Sequence, residues 1–179
     1  MAARFDASSA ECLVYTEKAG LLSGVAHDLK LRVEQFEILV DAGAVQARFD
    51  ASSLRVVCAL QGGRDQPQAL SARDRREIEA TIVRDVLDAR RHPLIEFRST
   101  RIEPQPAGAS VEGILSLHGR ERPLLLQATR EDGRARIEAR LHQPDFGIRP
   151  YTAMLGALRI KADATVRLVT PWPASGPAS

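Results

Sequence analysis

The chain has 179 residues, enough for one domain with a core of its own. Apolar residues make up 44 % and charged residues 27 %, values that exclude a disordered or fibrous bulk. A net charge of +2 and a total of five Phe, two Tyr and one Trp argue against nucleic acid as a partner, which calls for a concentrated cationic face or stacking platforms.

The front, residues 1–9, offers little to pack and is expected to be loose. No apolar stretch follows Arg4, so no secretory signal is read there, and no run approaches the roughly 18 apolar residues of a membrane span. The expectation is a cytoplasmic protein without stable membrane insertion. In that compartment Cys12 and Cys58 stay reduced as small buried hydrophobes, and no CxxC metal or redox motif is present.

From residue 10 onward the dominant signal is period two, which strands show because alternate side chains point to opposite faces. Short alternating runs appear near 11–17. A longer one sets Val25, His27, Leu29, Leu31 and Val33 against Ala26, Asp28, Lys30, Arg32 and Glu34. Further runs lie near 36–41, 44–50 and 54–60, with a turn signal at Asp41-Ala42-Gly43. Residues 72–91 are different. They are rich in charged helix formers, carry Ile78, Ile82, Val86 and Ala89 near one stripe, and follow Ser71 as a fair N-cap. Pro93 forbids continuation past His92. The strand signal resumes at 94–102, 111–117, 122–130, 135–142 and 158–168, interrupted by Pro104-Gln105-Pro106-Ala107-Gly108 and Glu131-Asp132-Gly133. Residues 171–179 are rich in Pro, Gly, Ser and Ala and read as a mobile tail, leaving 10–170 as the domain.

Many consecutive strands with one helical insert rule out a doubly wound α/β fold. The pattern predicts an all-β, antiparallel closed barrel of about eight strands with one capping helix, since closure removes exposed edges. A β-sandwich is the rival that periodicity alone leaves open.

Three local patterns occur in order in the second half. The first runs from Asp85-Val86-Leu87-Asp88 through His92-Pro93 to Ile95-Glu96-Phe97-Arg98-Ser99-Thr100. The second is Gly113-Ile114-Leu115-Ser116-Leu117-His118-Gly119, followed by Arg122-Pro123. The third is Asp145-Phe146-Gly147-Ile148. Together they resemble the YceI-like family, the lipocalin-like polyisoprenoid-binding barrels, clearly over about residues 70–168 and more weakly over 10–60. The resemblance implies an elongated barrel whose apolar channel takes an isoprenoid or similar lipid chain, a binding function without a known reaction. The front departs from the family's pattern, with Gly20-Leu21-Leu22-Ser23-Gly24-Val25-Ala26-His27-Asp28-Leu29 where a His-Ser-x-Val-x-Phe type of start is expected. Members are mostly secreted to the bacterial periplasm, so the absence of a signal reads as a divergent cytoplasmic branch.

The residues expected to line the channel are Val25, Leu29, Leu31, Phe49, Phe97, Leu115, Leu117, Ile137, Leu141 and Phe146, with His27 as a polar anchor among them. The plainer reading of His27 is a hydrogen-bonded core histidine. Metal ligation lacks a second ligand at a usable spacing, and no cofactor is implied. His118 is expected to stabilise its hairpin turn, His92 to pack on the sheet and His142 to be solvated. No nucleophile elbow or P-loop is present, and the arginines of 73–91 are interleaved with acids as on a solvated helix. The function predicted is non-catalytic binding of a hydrophobic molecule, as carrier or sequestering protein. The alternative is a barrel with a filled core that acts through its surface or as a homodimer. Val57, Ala59 and Leu39, on the outward parity, are too scattered to favour it. A catalytic role for His27 would need a second polar group converging on it.

Overall fold

The computed structural model describes residues 2–19, 27–41 and 43–173. Among these residues thirteen strands belong to one antiparallel sheet. The first seven are β1 (Ala3–Asp6), β2 (Glu11–Ala19), β3 (Asp28–Val33), β4 (Phe36–Asp41), β5 (Ala44–Asp50), β6 (Leu54–Gln61) and β7 (Arg64–Gln66). Helix α1 (Ala72–Thr81) follows and runs into a wider π turn at Ile82–Val86. The chain then forms β8 (Leu94–Gln105), β9 (Gly108–Leu117), β10 (Arg120–Glu131), β11 (Arg134–His142), the two-residue β12 (Thr152–Ala153) and β13 (Leu158–Pro171).

The sheet curls into the lipocalin-like form expected, but not as a ring of about eight uninterrupted strands. Its hydrogen-bonded path runs β1-β4-β5-β8-β9-β10-β11-β13-β2-β3-β6-β7, with β12 attached to β13. The curl is bridged by two bent ribbons. Residues 28–41 make β3 and then β4, and residues 44–61 make β5 and then β6. Their upper halves pair as β3 with β6, and their lower halves as β4 with β5. At the bend Glu34 N donates to Ser53 O at 3.2 Å, and Asp50 N donates to Gln35 O at 2.9 Å. β3 also pairs with β2, whereas β5 pairs with β8. The pairing therefore leaves a gap between β6 and the start of β8, and the helix covers it. Glu79 of α1 accepts a hydrogen bond from Val56 N at 2.8 Å, satisfying an edge amide of β6.

Ser71 caps α1 as expected. Its hydroxyl accepts from Asp74 N, and the Asp74 carboxylate accepts from Ser71 N, forming a capping box. The helix is shorter than the 72–91 stretch suggested. After the π turn Asp88 takes a left-handed backbone (φ 43°), and its carbonyl accepts from Arg91 N and His92 N, so a tight turn replaces the last helical turn before Pro93.

At both chain ends some of the described residues join the sheet. The front contains β1, which pairs with β4 and buries Phe5. At the other end β13 continues through Pro171, and Trp172 N donates to Gly133 O at 2.8 Å. The tail beyond Pro173, like residues 20–26, lies outside the described residues.

Candidate functional site

The register places one parity of each strand inside the curl. On β11 and β13 the inner pairs are Ile137↔Leu168, Ala139↔Val166 and Leu141↔Ala164. The outward pairs include Glu138↔Arg167, a salt bridge, and His142↔Asp163, which are in hydrogen-bond contact. The inner face encloses a cavity of about 680 Å³, inside the ~300–1,000 Å³ span of small-molecule sites. Its wall is mostly apolar. Leu29, Leu31, Phe49, Phe97, Leu115, Leu117, Ile137 and Leu141 line it, together with His27.

Two of the expected channel residues stand apart. Phe146 is buried in the core, but it does not line the cavity. Its 3-10 turn (Gln143–Phe146) packs the ring beside the hairpin of β9 and β10, and its carbonyl lies 3.3 Å from His118 Nδ1. Val25 lies outside the described residues.

The sequence reading missed the helix face. Ile78, Ile82, Val86 and Leu87, from α1 and the π turn that follows it, also line the cavity. The helical stripe carried that signal, but nothing local said which layer it would face. Trp172 and Tyr151 were missed as well; Trp172 falls in the stretch that reads as tail, and no strand or helix is expected at Tyr151.

The two ends of the cavity differ chemically. The turns joining β4 to β5, β8 to β9 and β10 to β11 lie at one end, where Asp41 and Trp172 reach the wall. The other end lies under α1 and carries His27, Glu77, Thr81, Gln143 and Tyr151. Asp74, in the first turn of α1, is held below the usual carboxylate range first by the Ser71 hydroxyl and then by the Ser71 amide. Glu77 is paired with Arg73 at 2.9 Å. Asp74 and Glu77 thus each have a partner other than His27. Among the described residues no group of His, Cys, Asp or Glu could hold a metal ion.

The remaining histidines serve structure. His92 and His118 pack ring to ring, with centroids 4.5 Å apart. His118 occupies a left-handed turn position (φ 52°) before Gly119. His142 is exposed, and its Nδ1 lies 2.6 Å from Asp163 Oδ1. Cys12 lines the cavity, and burial pushes its thiol up to about 12. Cys58 sits opposite Lys30 on the other side of the sheet, and loss of solvent raises its thiol also.

A single curled antiparallel sheet around an apolar cavity, with one helix over the end, defines a lipocalin-like architecture. The model of the YceI-like domain matches residues 6–170, and the chain belongs to the YceI-like family. Burkholderia cenocepacia BcnA shares the fold with a TM-score of 0.63 at 12 % identity, over 92 % of this chain and 96 % of its own. A polyisoprenoid binding domain from Saccharophagus degradans, implicated in plant cell wall breakdown, gives 0.61 at 12 % identity, over 94 % and 95 %. The Campylobacter jejuni YCEI protein gives 0.56 at 13 % identity, over 81 % and 84 %. Among curated proteins none matches this chain. Among the described residues no helix is long and apolar enough to cross a membrane.

Proposed function

We propose that this protein binds an apolar chain, isoprenoid or otherwise lipid-like, inside its cavity without transforming it, as a carrier or sequestering protein. The observation that carries the reading is the cavity, about 680 Å³ of space faced mostly by apolar side chains. Burial of apolar surface supplies roughly 0.8 kcal/mol per methylene, so a ten-carbon chain gains on the order of 8 kcal/mol before association costs, with no specific polar contact. The printed description of the Saccharophagus degradans domain, a polyisoprenoid binding domain, points the same way. His27 and the polar groups under α1 are suited to face a ligand's polar end, with Leu29, Leu31, Leu115, Leu117, Ile137 and Leu141 along its chain.

The test is uptake of a fluorescent prenyl or acyl probe by detergent-free protein. The parent should take up the probe in a saturable way. Leu115→Asp should abolish uptake, because a carboxylate on the wall disfavours an apolar occupant. Since Leu115→Asp threatens folding, Ala139→Phe serves as the second variant, filling the space with an apolar ring. Probe ignored by the parent, or retained fully by folded Ala139→Phe protein, would overturn the reading.

A further inference from the structure

β12 pairs with the start of β13, Thr152 opposite Arg159 and Ala153 opposite Leu158, and Met154–Ala157 turn the chain between them. Met154 and Leu155 both hold left-handed backbone, at φ 50° and 55°, ahead of Gly156 at 83°. Two successive non-glycine residues in that region are strained. The strain holds apolar side chains away from the protein: Leu155 is 109 % exposed and Met154 63 %, the highest values among the large apolar residues described. The projection stands on the cavity rim. Tyr151 at its base is 38 % exposed yet also lines the cavity, as do Leu158 and Ile160 just beyond it.

The surroundings are basic. Arg159 Nε donates to Gly156 O at 2.7 Å, which holds its guanidinium against the projection. Arg149 shares a shallow depression with Arg90, Arg91 and His118 beside the helix end. The Arg120 guanidinium lies against Gly147. Among the described residues Arg90, Arg120, Arg149 and Arg159 have no carboxylate partner, whereas Asp85 is paired with Arg84 and Asp88 with Arg91. Among the described acids at this end, Asp145 carries no ion pair and Asp74 is held by Ser71 rather than by a cation.

We propose that the Met154–Leu155 projection docks the cavity mouth onto an anionic bilayer, its two side chains entering the boundary between headgroups and acyl chains and the rim arginines contacting lipid phosphates. The inference rests on the reading that the cavity holds an apolar chain, since such cargo exchanges with a bilayer rather than through water. Strained backbone that exposes two apolar side chains gains nothing in solution, and the cationic rim complements anionic headgroups. A second copy is the poorer occupant. Two side chains offer little of the roughly 1,000 Å² a stable interface needs, and a symmetric contact would set the arginine rims against each other.

The experiment is co-sedimentation of the full chain with vesicles of phosphatidylcholine alone and of phosphatidylcholine with phosphatidylglycerol. The parent should bind the anionic vesicles preferentially. Met154→Asn combined with Leu155→Asn should weaken that binding by on the order of tenfold or more. Asn tolerates left-handed backbone, so this variant should melt no lower than the parent and should still take up the fluorescent probe in vesicle-free solution. Arg90→Gln and Arg149→Gln should each weaken binding roughly fivefold. Absence of vesicle binding by the parent, or binding untouched by the Asn pair, would overturn the proposal. Self-association of the parent that disappears in the Asn pair without any vesicle binding would overturn it too, assigning the projection to a second copy. Probe uptake in vesicle-free solution reads the cavity separately, so the failure of either idea is seen alone.

Discussion

The two walls of the curl share one sequence pattern and reach different packing. On the wall made by β3, β4 and β6, inward side chains border the cavity but are packed tightly among their neighbours: Leu31 is 1 % exposed, Ile38 3 % and Val56, behind them, 6 %. On the wall made by β10, β11 and β13, inward residues such as Leu126, Ile137, Leu141 and Val166 are only half-buried, because the surface they expose is the cavity wall. Side-chain volume makes the difference. The first wall sets Phe5 and Phe36 against aliphatics. The second intersperses Ala128, Ala135, Ala139 and Ala164, which reach too short a distance to fill the space. Alternation decides which face is inside, and residue size decides whether that inside is hollow.

The contrast makes opposite predictions for the two walls. Leu31→Ala on the packed wall should cost about 2–5 kcal/mol in denaturant unfolding. Ala139→Phe on the hollow wall should cost little or raise the melting temperature while removing probe uptake. If both behave alike, the walls do not differ as described.

The next effect concerns Gly113, where β9 passes the ring of Phe97. A Cβ there would lie 2.4 Å from Phe97 Cζ and 2.5 Å from Arg98 O. Gly113→Ala should therefore destabilise by about 1–3 kcal/mol, measured by urea unfolding. Gly133, whose added Cβ would meet nothing within 4 Å, lacks that clash.

Glu79→Ala removes the acceptor that covers Val56 N at the open edge of β6. A loss of about 1–3 kcal/mol is expected, with Glu79→Gln recovering most of it because the amide oxygen can still accept. Equal loss in both variants would mean that the helix covers the gap by packing alone.

The smallest effect is at acid pH. His142 and then Arg140 lower the pKa of Asp163 below its ordinary 3.8. The carboxylate binds protons less readily folded than unfolded, so its contribution is complete above 3.8 and fades as pH falls through the lower folded value. Asp163 is solvent-facing, so Asp163→Asn should shift the acid-unfolding midpoint only slightly.

Much of this was readable from the amino acids. The strands at 36–41, 44–50 and 135–142 and the cap at Ser71 follow from alternation and capping chemistry. Leu115 and Leu117 were placed on the channel wall for the same reason. What escaped was long-range or irregular. On β6 the pairing jumps from Cys58 opposite Lys30 to Val56 opposite Leu31, and this bulge turns Ala59, expected outside, into a 1 % exposed core residue. Phe146 shared the apolar signature of the wall residues, but its place in the 3-10 turn aims it beside the channel. The helix length was overestimated because helix-forming residues continue past Val86, and the left-handed turn at Asp88 carries no composition signal.

The most direct test of the hollow interior is the electron density within the barrel in crystals of protein purified without detergent. The structure predicts an elongated tube of density running between Leu115, Ala139 and Val166, ending near His27 beneath α1. Inner side chains of β10, β11 and β13 found in contact with those of β3 and β9, with no room between them, would contradict it.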